Sequence, residues 1–566
     1  MKFSEMIYER PDIDGFNREG LALVQKMEQA TSYAEALQAF EAFEHLSNQL
    51  ETMYSLTYIR HEIDTADPFY DAEMNFLDES IPLTQETQQK MTLALLNSPF
   101  RADFEKEYGT LLIKNAEIAL KAFSPEIIPE LQEENRLVTE YSKLIASAQI
   151  PFDGQTRTLS QLSPYKQSAD DSVRLAAWKA DGNFYTEHGE TLDRLYDDLV
   201  RVRNRMAQKL GYDNYIPLGY YRMMRNSYTQ EDVKKFRAAV VKYLVPVADR
   251  LFREQAERTG AAYPLNFADE ALTFRSGNAA PKGTPDQILA HGQKMYHEMS
   301  AETAEFIDFM YQNELLDVLS RKGKAGGGFC TDLPLYKSPF IFANFNGTSH
   351  DVEVITHEAG HAFASYMARD IRPRGNQSPT LESCEIHSMS MEFFAWPWAE
   401  GFFREDTNKF YYGHLAGALT FIPYGTMVDH FQHLIYADPD MTPEERHRTW
   451  RELLGVYMPW MRLGEIPFYG DGKGWQRQSH IYERPFYYID YCLAQTVALQ
   501  FWTVMQTDRT DAWNRYLRLV KKAGTETFDG LVSTAGLDTP FGDAALQKVA
   551  EAAGVWLDHA DKEALR

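Results

Sequence analysis

The chain has 566 residues, of which 44% are hydrophobic and 25% charged, so it can bury a large core, and disordered, collagen-like and disulfide-stapled proteins are excluded. Its net charge is −25 at pH 7, and residues 1–150 alone carry 27 acidic and 12 basic side chains. Because a chain this acidic is repelled by phosphate backbones, we expect no nucleic-acid partner.

Cysteine content and hydropathy indicate the compartment. The three cysteines, Cys330, Cys384 and Cys492, are an odd number and too few for a disulfide framework, which points to a reducing environment. No apolar run reaches the roughly 18 residues of a membrane helix, and the first residues contain no signal-peptide core. The sequence therefore predicts a soluble cytoplasmic protein with no membrane partner, and we expect its thiols to be buried and unreactive.

The first part of the chain is predicted to be helical. Residues 20–146 place apolar side chains at intervals of three and four, with Glu and Gln between them, which is typical of amphipathic helices. At 148–163 the pattern changes, and Asp153-Gly154 between two short extended stretches predicts a β-hairpin. Helical periodicity then resumes. We place a domain boundary near residue 195, between a helical N-terminal lobe (1–195) and a second part (196–566).

The segment 321–348 has a glycine-rich opening and then a run from Pro339 to Phe345 that is rich in aromatic residues. This order predicts a flexible loop followed by a β-strand. A phosphate-binding loop is disfavoured, because a Walker A motif needs Ser or Thr after its lysine, whereas Lys324 is followed by Ala325. We interpret the glycine run as a flexible connection.

The strongest chemical signal is VITHEAGHAFASYM, in which His357 and His361 stand four apart and Glu358 follows the first. On a helix, both imidazoles lie on one face and can reach the same metal ion. Gly360 inside this helix costs about 1 kcal/mol relative to alanine, so we expect a local reason, such as close approach of substrate or of a neighbouring strand. Two histidines on an ordinary helix are the alternative.

A catalytic zinc ion needs three protein ligands and leaves a fourth position for water. A second helical pattern, LESCEIHSMSMEFFAWPW, offers Glu382, Glu385 and Glu392, and the last two share a face with Ser388. The stretch is filled with Met, Phe and Trp, so a carboxylate in it is buried and needs a partner or a metal. The pattern alone leaves open which glutamate is the ligand.

HEAGH, followed 24 residues later by Glu385-x-x-Ser388-x-x-x-Glu392, resembles the thimet oligopeptidase and oligoendopeptidase F family of zinc endopeptidases, especially its bacterial oligoendopeptidase F or Pz-peptidase branch. The resemblance is clear from about residue 200 to 560. It implies one Zn²⁺ per chain, bound by His357, His361 and Glu385, with Glu358 as the general base. Glu392 would orient a ligand imidazole, and for Glu382 we expect a solvent-facing position.

A second block, HIYERPFYYIDYCLAQTVALQFW, resembles the histidine and tyrosine cluster that faces the zinc in this family. Phenol and imidazole donors there stabilise the negative charge that develops on an attacked amide oxygen. We favour His480 and Tyr488 as donors, then Tyr491, then Tyr487, because Tyr488 and Tyr491 share a helical face and Tyr487 is offset by about 100°. Ordinary packing of the tyrosines is the alternative.

Three further segments match the family. The glycine-rich loop 470–474 is expected either to close over bound peptide or to be a plain turn. Phe342–Asn346 is expected to be an edge strand along which substrate backbone lies. Asp351 is expected to support the metal site or to cap the helix.

The resemblance implies a mainly α fold, a two-lobed helical zincin of the gluzincin type, with a deep substrate channel and a small β-sheet beside the active-site helix. Residues 196–566 would be the catalytic part, and the reaction would be zinc-dependent hydrolysis of internal bonds in short unstructured peptides. A zinc carboxypeptidase or dipeptidase of related fold is one alternative, and it requires a site that anchors a terminal charge. A non-catalytic zinc-containing helical binding protein is another, and it has no use for Glu358.

Overall fold

The computed structural model describes residues 1–561 and 565, and it is mainly helical with small sheets, as predicted. The N-terminal periodicity corresponds to a series of helices. Polar caps start the first two: the Asp12 side chain accepts from the Gly15 amide and the Ser32 side chain accepts from the Glu35 amide, which satisfies donors that the helix leaves free. The helices are α1 (Ile13–Glu28), α2 (Tyr33–Ile63), α3 (Pro68–Ser80), α4 (Gln85–Asn97), α5 (Arg101–Tyr108), α6 (Thr110–Ala122) and α7 (Ile128–Ala146).

The predicted hairpin is present. Strand β1 (Ile150–Phe152) pairs antiparallel with β2 (Gln155–Arg157). Asp153 and Gly154 have φ angles of 52° and 71°, and a two-residue hairpin turn of this kind needs positive φ at both central positions. The Asp-Gly pair is thus sufficient to locate the turn.

The rest of the chain is a longer helical series. A short π-helical segment, Val240–Leu244, joins two of the helices. The helices are α8 (Ser163–Lys166), α9 (Asp171–Glu187), α10 (Gly189–Lys209), α11 (Tyr215–Arg222), α12 (Gln230–Ala239), α13 (Val245–Thr259), α14 (Pro285–Met299), α15 (Ala301–Gln312), α16 (His350–Ala368), α17 (Leu381–Phe394), α18 (Ala399–Phe403), α19 (Thr407–Ala437), α20 (Pro443–Tyr457), α21 (Ser479–Glu483), α22 (Tyr488–Met505), α23 (Arg509–Lys522), α24 (Phe528–Thr534) and α25 (Asp543–Asp558).

Five further strands form two small sheets: β3 (Leu265–Asn266), β4 (Leu316–Leu319), β5 (Phe329–Leu333), β6 (Ser338–Phe345) and β7 (Met461–Arg462). Strand β3 pairs parallel with β7. In the three-stranded sheet, β6 lies in the middle, parallel to β4 and antiparallel to β5. Strand β5 pairs with Ser338–Phe342 and β4 pairs with residues between Ile341 and Phe345, so beyond Phe342 only the β4 side of β6 is paired in the described strands. The expectation of an edge along Phe342–Asn346 for the substrate backbone stays a prediction. Within the described residues, β5 is an edge of this sheet.

Two hydrophobic clusters hold the molecule together. One consists of residues between Ile13 and Ile113. The other runs from Met6 to Leu565 and includes the apolar residues of α16, α17 and α22. The domain boundary near residue 195 stays a prediction. No helix in the described ranges is both long and apolar enough to cross a bilayer.

Close packing of α16 on α17 explains Gly360. A β-carbon at this position would lie 2.6 Å from Ser388 Cα and 2.7 Å from the His387 carbonyl oxygen, and real contacts of this kind do not occur. The expected local reason for the glycine is thus the close approach of a neighbouring helix, where the examples we gave were a strand and the substrate. Helix α17 packs in turn on α22, so the three helices form one layered unit.

Candidate metal centre

Three side chains converge between α16 and α17. Glu385 Oε2 lies 3.2 Å from His357 Nε2 and 3.3 Å from His361 Nε2, and the three residues form a group that could hold a metal ion. Ligand atoms placed about 2.0–2.1 Å from a tetrahedral zinc ion are about 3.3–3.4 Å from one another. The two distances from Glu385 to the imidazoles match this spacing, and two imidazoles with one carboxylate are a ligand set that suits zinc.

Glu392 determines the position of a proton on His357. His357 Nδ1 lies 2.7 Å from Glu392 Oε1, and because a carboxylate only accepts, Nδ1 carries a proton, which leaves Nε2, on the side of Glu385, as the nitrogen for a metal ion. Glu392 Oε2 accepts from His414 Nε2 at 2.7 Å, and His414 Nδ1 accepts from Trp396 Nε1 at 2.9 Å. Burial raises the pKa of Glu392, but the hydrogen bonds from the two histidines outweigh it and lower the pKa to about 2. The ligand imidazole is therefore held in the tautomer that metal binding needs.

Both oxygens of Glu385 are also held. Ser388 Oγ donates to Oε2 at 2.9 Å, and the Tyr487 hydroxyl donates to Oε1 at 2.6 Å. Burial acts to raise the pKa of Glu385, but the neighbouring His361 and His357 hold it well below its usual range. The carboxylate is ionised and fixed in orientation, as a ligand must be.

Glu358 is different from the other acids of this centre. It is 7% exposed, burial raises its pKa, and no described residue donates a hydrogen bond to its carboxylate. A β-carbon at Gly328 would lie 3.5 Å from Glu358 Oε1, so the glycine run before β5 passes beside this group. Its lone pairs are free to take a proton.

His480 is a neutral hydrogen-bond donor. Its Nδ1 accepts from Gln478 Nε2 at 2.9 Å, so the proton is on Nε2, which donates to the Tyr491 hydroxyl oxygen at 3.1 Å. Burial lowers the pKa of His480 to about 4. The ring is uncharged at neutral pH and carries its N–H on the side of the tyrosines.

The predicted tyrosines lie together around this histidine. The ring centroids of Tyr487, Tyr488 and Tyr491 are 5.6, 5.0 and 5.6 Å from that of His480. Helix α22 begins at Tyr488, so the helical offset used to rank Tyr487 last does not apply to it, and its hydroxyl contacts Glu385. No described residue is hydrogen-bonded to the Tyr488 hydroxyl. Burial holds the pKa of each phenol well above its usual range, so each keeps its proton.

The expectation that Glu382 faces solvent is wrong. Glu382 is 0% exposed; it accepts from Thr380 Oγ1 at 2.7 Å and pairs with Arg225 at 3.1 Å. Arg225 also pairs with Asp490 at 2.5 Å and donates to the Phe486 carbonyl oxygen at 2.7 Å. One buried guanidinium thus ties the ligand helix α17 to the start of the tyrosine helix α22. No local pattern links Arg225 to these partners, so sequence reasoning missed it.

Other residues singled out in the sequence have structural positions. Asp351 accepts from the amides of Asn346 and Gly347 at 2.7 and 2.8 Å, so it holds the turn between β6 and α16. In loop 470–474, a β-carbon at Gly472 would lie 2.7 Å from the His447 carbonyl oxygen. The loop is packed against α20, which favours the plain turn.

The three cysteines are free, with Cys492 buried and Cys330 and Cys384 partly buried. Burial raises the pKa of each thiol. Since the thiolate is the reactive form, these environments favour the predicted low reactivity.

Comparison with known proteins places this arrangement in a family. The profile of the peptidase M3 N-terminal domain matches residues 3–123, and that of peptidase family M3 matches residues 282–551. Oligopeptidase PepF of Bacillus subtilis (strain 168) is 20% identical over 568 residues, which cover 93% of this chain and 82% of the relative. An oligoendopeptidase F homolog of Borreliella burgdorferi is 25% identical over 488 residues, 81% of this chain and 78% of the relative. A solved structure of PZ peptidase A with an inhibitor is 46% identical, covers 99% of this chain and 100% of its own, and superposes with a TM-score of 0.98. The chain therefore belongs to peptidase family M3.

Proposed function

We propose that this peptidase is a zinc-dependent endopeptidase that hydrolyses internal bonds of short unstructured oligopeptides. The observation that carries the proposal is the convergence of His357, His361 and Glu385 at tetrahedral spacing beside Glu358, a buried carboxylate without a hydrogen-bond donor. A structural zinc site has four protein ligands, whereas the group in the described residues has three. Relatives named oligopeptidase and oligoendopeptidase F support the substrate class.

His357, His361 and Glu385 would hold one zinc ion per chain. When bound, zinc supplies a Lewis acid that lowers the pKa of a water molecule towards about 7 and polarises the scissile carbonyl. Glu358 takes the proton of the attacking water and later delivers it to the leaving amine. Its raised pKa supports the first step, because a carboxylate with a raised pKa is a stronger base towards the water proton.

The opposite wall supplies hydrogen bonds to the carbonyl oxygen as it becomes negative. We assign this role to His480 Nε2 and to the hydroxyls of Tyr488 and Tyr491, which are neutral donors. Tyr487 also lies in this wall, but its hydroxyl holds Glu385, so we assign it to positioning of that ligand. Three unpaired cysteines support action in a reducing compartment, the cytoplasm.

The decisive variant is Glu358→Gln. It keeps a side chain of the same size and leaves the three ligands in place, so we expect bound zinc and unchanged folding with turnover reduced by about three orders of magnitude or more. Elemental analysis measures the bound zinc, and cleavage of a peptide blocked at both ends measures the turnover. Glu257→Gln on an exposed position of α13 is the matched control and keeps wild-type turnover.

Products and metal dependence test the rest of the proposal. Mass spectrometry of a doubly blocked peptide should show internal cleavage that a chelator abolishes and added zinc restores. Cleavage of unblocked peptides alone would favour the carboxypeptidase alternative. Normal turnover by Glu358→Gln would rule out its role as the base.

A further inference from the structure

A cavity next to the wall around His480 has no part in the chemistry described so far. Its volume is about 350 Å³, at the lower end of the range for small-ligand sites. It lies between α13, α19, α20 and the segment that runs from β7 to residue 477. Much of its wall is apolar, and it also contains two guanidinium groups and one carboxyl group. The apolar lining includes Leu251, Phe252, Leu454 and Met458, and the charged residues are Arg258, Glu270 and Arg477.

The cavity and the candidate catalytic wall share side chains. Tyr424 lines the cavity, and its hydroxyl donates to Gln478 Oε1 at 3.0 Å, while Gln478 Nε2 donates to His480 at 2.9 Å. Phe421, also in the lining, lies 5.8 Å from the ring of Tyr488. The cavity therefore adjoins the side chains that hold His480 and Tyr488 in place.

Arg477 is the notable charge in this cavity. Its guanidinium lies over the rings of Trp178, Phe267 and Tyr469, with distances of 5.7, 5.9 and 5.6 Å to their centroids. It forms no ion pair with a carboxylate of the described residues. The nearby Asp181 is already bound by Lys166 at 2.7 Å. Its guanidinium also contacts the Tyr424 hydroxyl, and its remaining N–H groups can bind a carboxylate through two hydrogen bonds.

The other two charged groups of the cavity are less suited to this role. Arg258 already donates to the Thr273 carbonyl oxygen at 2.8 Å and to the Tyr412 hydroxyl at 3.4 Å. Glu270 forms no ion pair with Arg477, and burial raises its pKa to about 7, so near neutral pH it is partly uncharged. Its ionised form would compete with an incoming anion.

We propose that this cavity is a carboxylate-binding subsite for the peptide substrate and that Arg477 is its anchoring residue. The proposal rests on the proposed peptidase function. The ligand is a carboxylate next to an apolar group, and it has two possible sources: the C-terminal carboxylate of a short peptide, or an acidic side chain at the same distance from the cleaved bond. In either case the subsite reads a charge on the leaving side of the substrate.

The test uses the zinc-loaded enzyme and three N-acetylated peptides of one sequence. The first ends in a free carboxylate, the second in a carboxamide, and the third in a carboxamide with glutamate as the last residue. We expect the first to be cleaved with about tenfold higher kcat/KM than the second, mainly through KM, since a charge-assisted bidentate contact is lost in the amide. Arg477→Met should remove this preference and bring the ratio of kcat/KM for the acid and the amide close to one. If the third peptide is cleaved as fast as the first, an acidic side chain can also supply the carboxylate that the subsite binds.

Matched variants separate the outcomes. Arg462→Met removes an exposed charge next to the cavity-lining Met461 and should keep the preference, whereas Glu270→Gln should increase it. Arg477→Lys keeps the charge and should retain part of the preference, which covers the case that Arg477→Met fails to fold. Loss of the preference in Arg258→Met but not in Arg477→Met would overturn the assignment. If the wild-type enzyme cleaves the first and second peptides equally well and a chelator stops both reactions, the subsite is overturned and the peptidase proposal stands. If no peptide is cleaved in a chelator-sensitive way, the peptidase proposal itself is overturned.

Discussion

The two walls of the candidate site are built on different electrostatic principles. The wall formed by α16 and α17 is ionic: Glu385 and Glu392 are ionised, and each is held by partners at both oxygens. The wall around His480 consists of neutral donors, because burial keeps the imidazole unprotonated and the phenols protonated. Under the proposed function, the difference teaches that one wall would bind a cation and the other would stabilise a charge that exists only during the reaction.

Arg225 links the two walls, and its removal should have the largest effect on stability. Arg225→Met leaves Glu382 and Asp490 buried without their counter-charge. We expect a loss of about 3 kcal/mol or more in the free energy of unfolding, measured by urea denaturation, together with lower turnover. Arg201→Met, whose side chain is 67% exposed, should change stability by less than about 0.5 kcal/mol; a similar loss in both variants would contradict the link.

A change confined to the neutral wall should affect chemistry and spare the metal. Tyr488→Phe removes a hydroxyl that no described residue uses, so we expect kcat to fall by about a hundredfold with unchanged zinc affinity. Tyr487→Phe should instead weaken zinc binding as well, because that hydroxyl holds Glu385. Identical effects of the two variants on zinc affinity would argue against the division between the walls.

A change confined to the ionic wall should lower zinc affinity more than it lowers kcat. Glu392→Gln replaces the carboxylate that accepts from His357 and His414. We expect zinc affinity to fall by about 10- to 100-fold, measured by competition with a chelating dye, with kcat of the zinc-saturated variant less affected. Glu392→Asp, which keeps the charge, should recover part of the affinity. A Glu392→Gln variant with a lower kcat and an unchanged zinc affinity would contradict this role of Glu392.

The smallest effect concerns pH and a histidine behind the neutral wall. Burial lowers the pKa of His447 to about 4, and its Nδ1 accepts from Trp475 Nε1 at 3.1 Å. The unfolded chain binds this proton below about pH 6.5, whereas the folded chain binds it only near pH 4, so the stabilisation is complete above pH 6.5 and is lost as pH falls towards 4. We expect His447→Gln to reduce the loss in unfolding free energy between pH 7 and pH 5 by about 1 to 2 kcal/mol, measured by urea titration of chelator-treated protein. Parallel pH profiles for the two proteins would contradict this.

Local patterns predicted the parts of the site that depend on one segment. Four-residue spacing located His357 and His361 on one helix, and the Asp153-Gly154 pair located the hairpin turn. The third ligand needed family resemblance, because several glutamates of α17 met the same spacing. The structure brings Glu385 to the two histidines.

Features that depend on distant segments could not be predicted. Glu382 is buried because of Arg225, 157 positions earlier in the chain, and β6 is central because β4 pairs with it from the side opposite β5. His414 makes no recognisable local pattern with α16 or α17, yet it donates to Glu392, which accepts from His357 Nδ1. Periodicity reports the face of a single element, whereas these contacts depend on how elements pack.

Gly360 has a consequence for which ions the centre can accept. Because Gly360 has no side chain, the backbones of α16 and α17 lie close together at this point. This close packing helps to fix the distance between Glu385 and the two imidazoles. Spacings of 3.2 and 3.3 Å suit an ion with bonds of about 2.0–2.1 Å, whereas calcium needs bonds of about 2.3–2.6 Å and six or more oxygen ligands. If the centre binds zinc as proposed, a backbone contact made by none of its three ligand residues would thus contribute to selection of the ion by size.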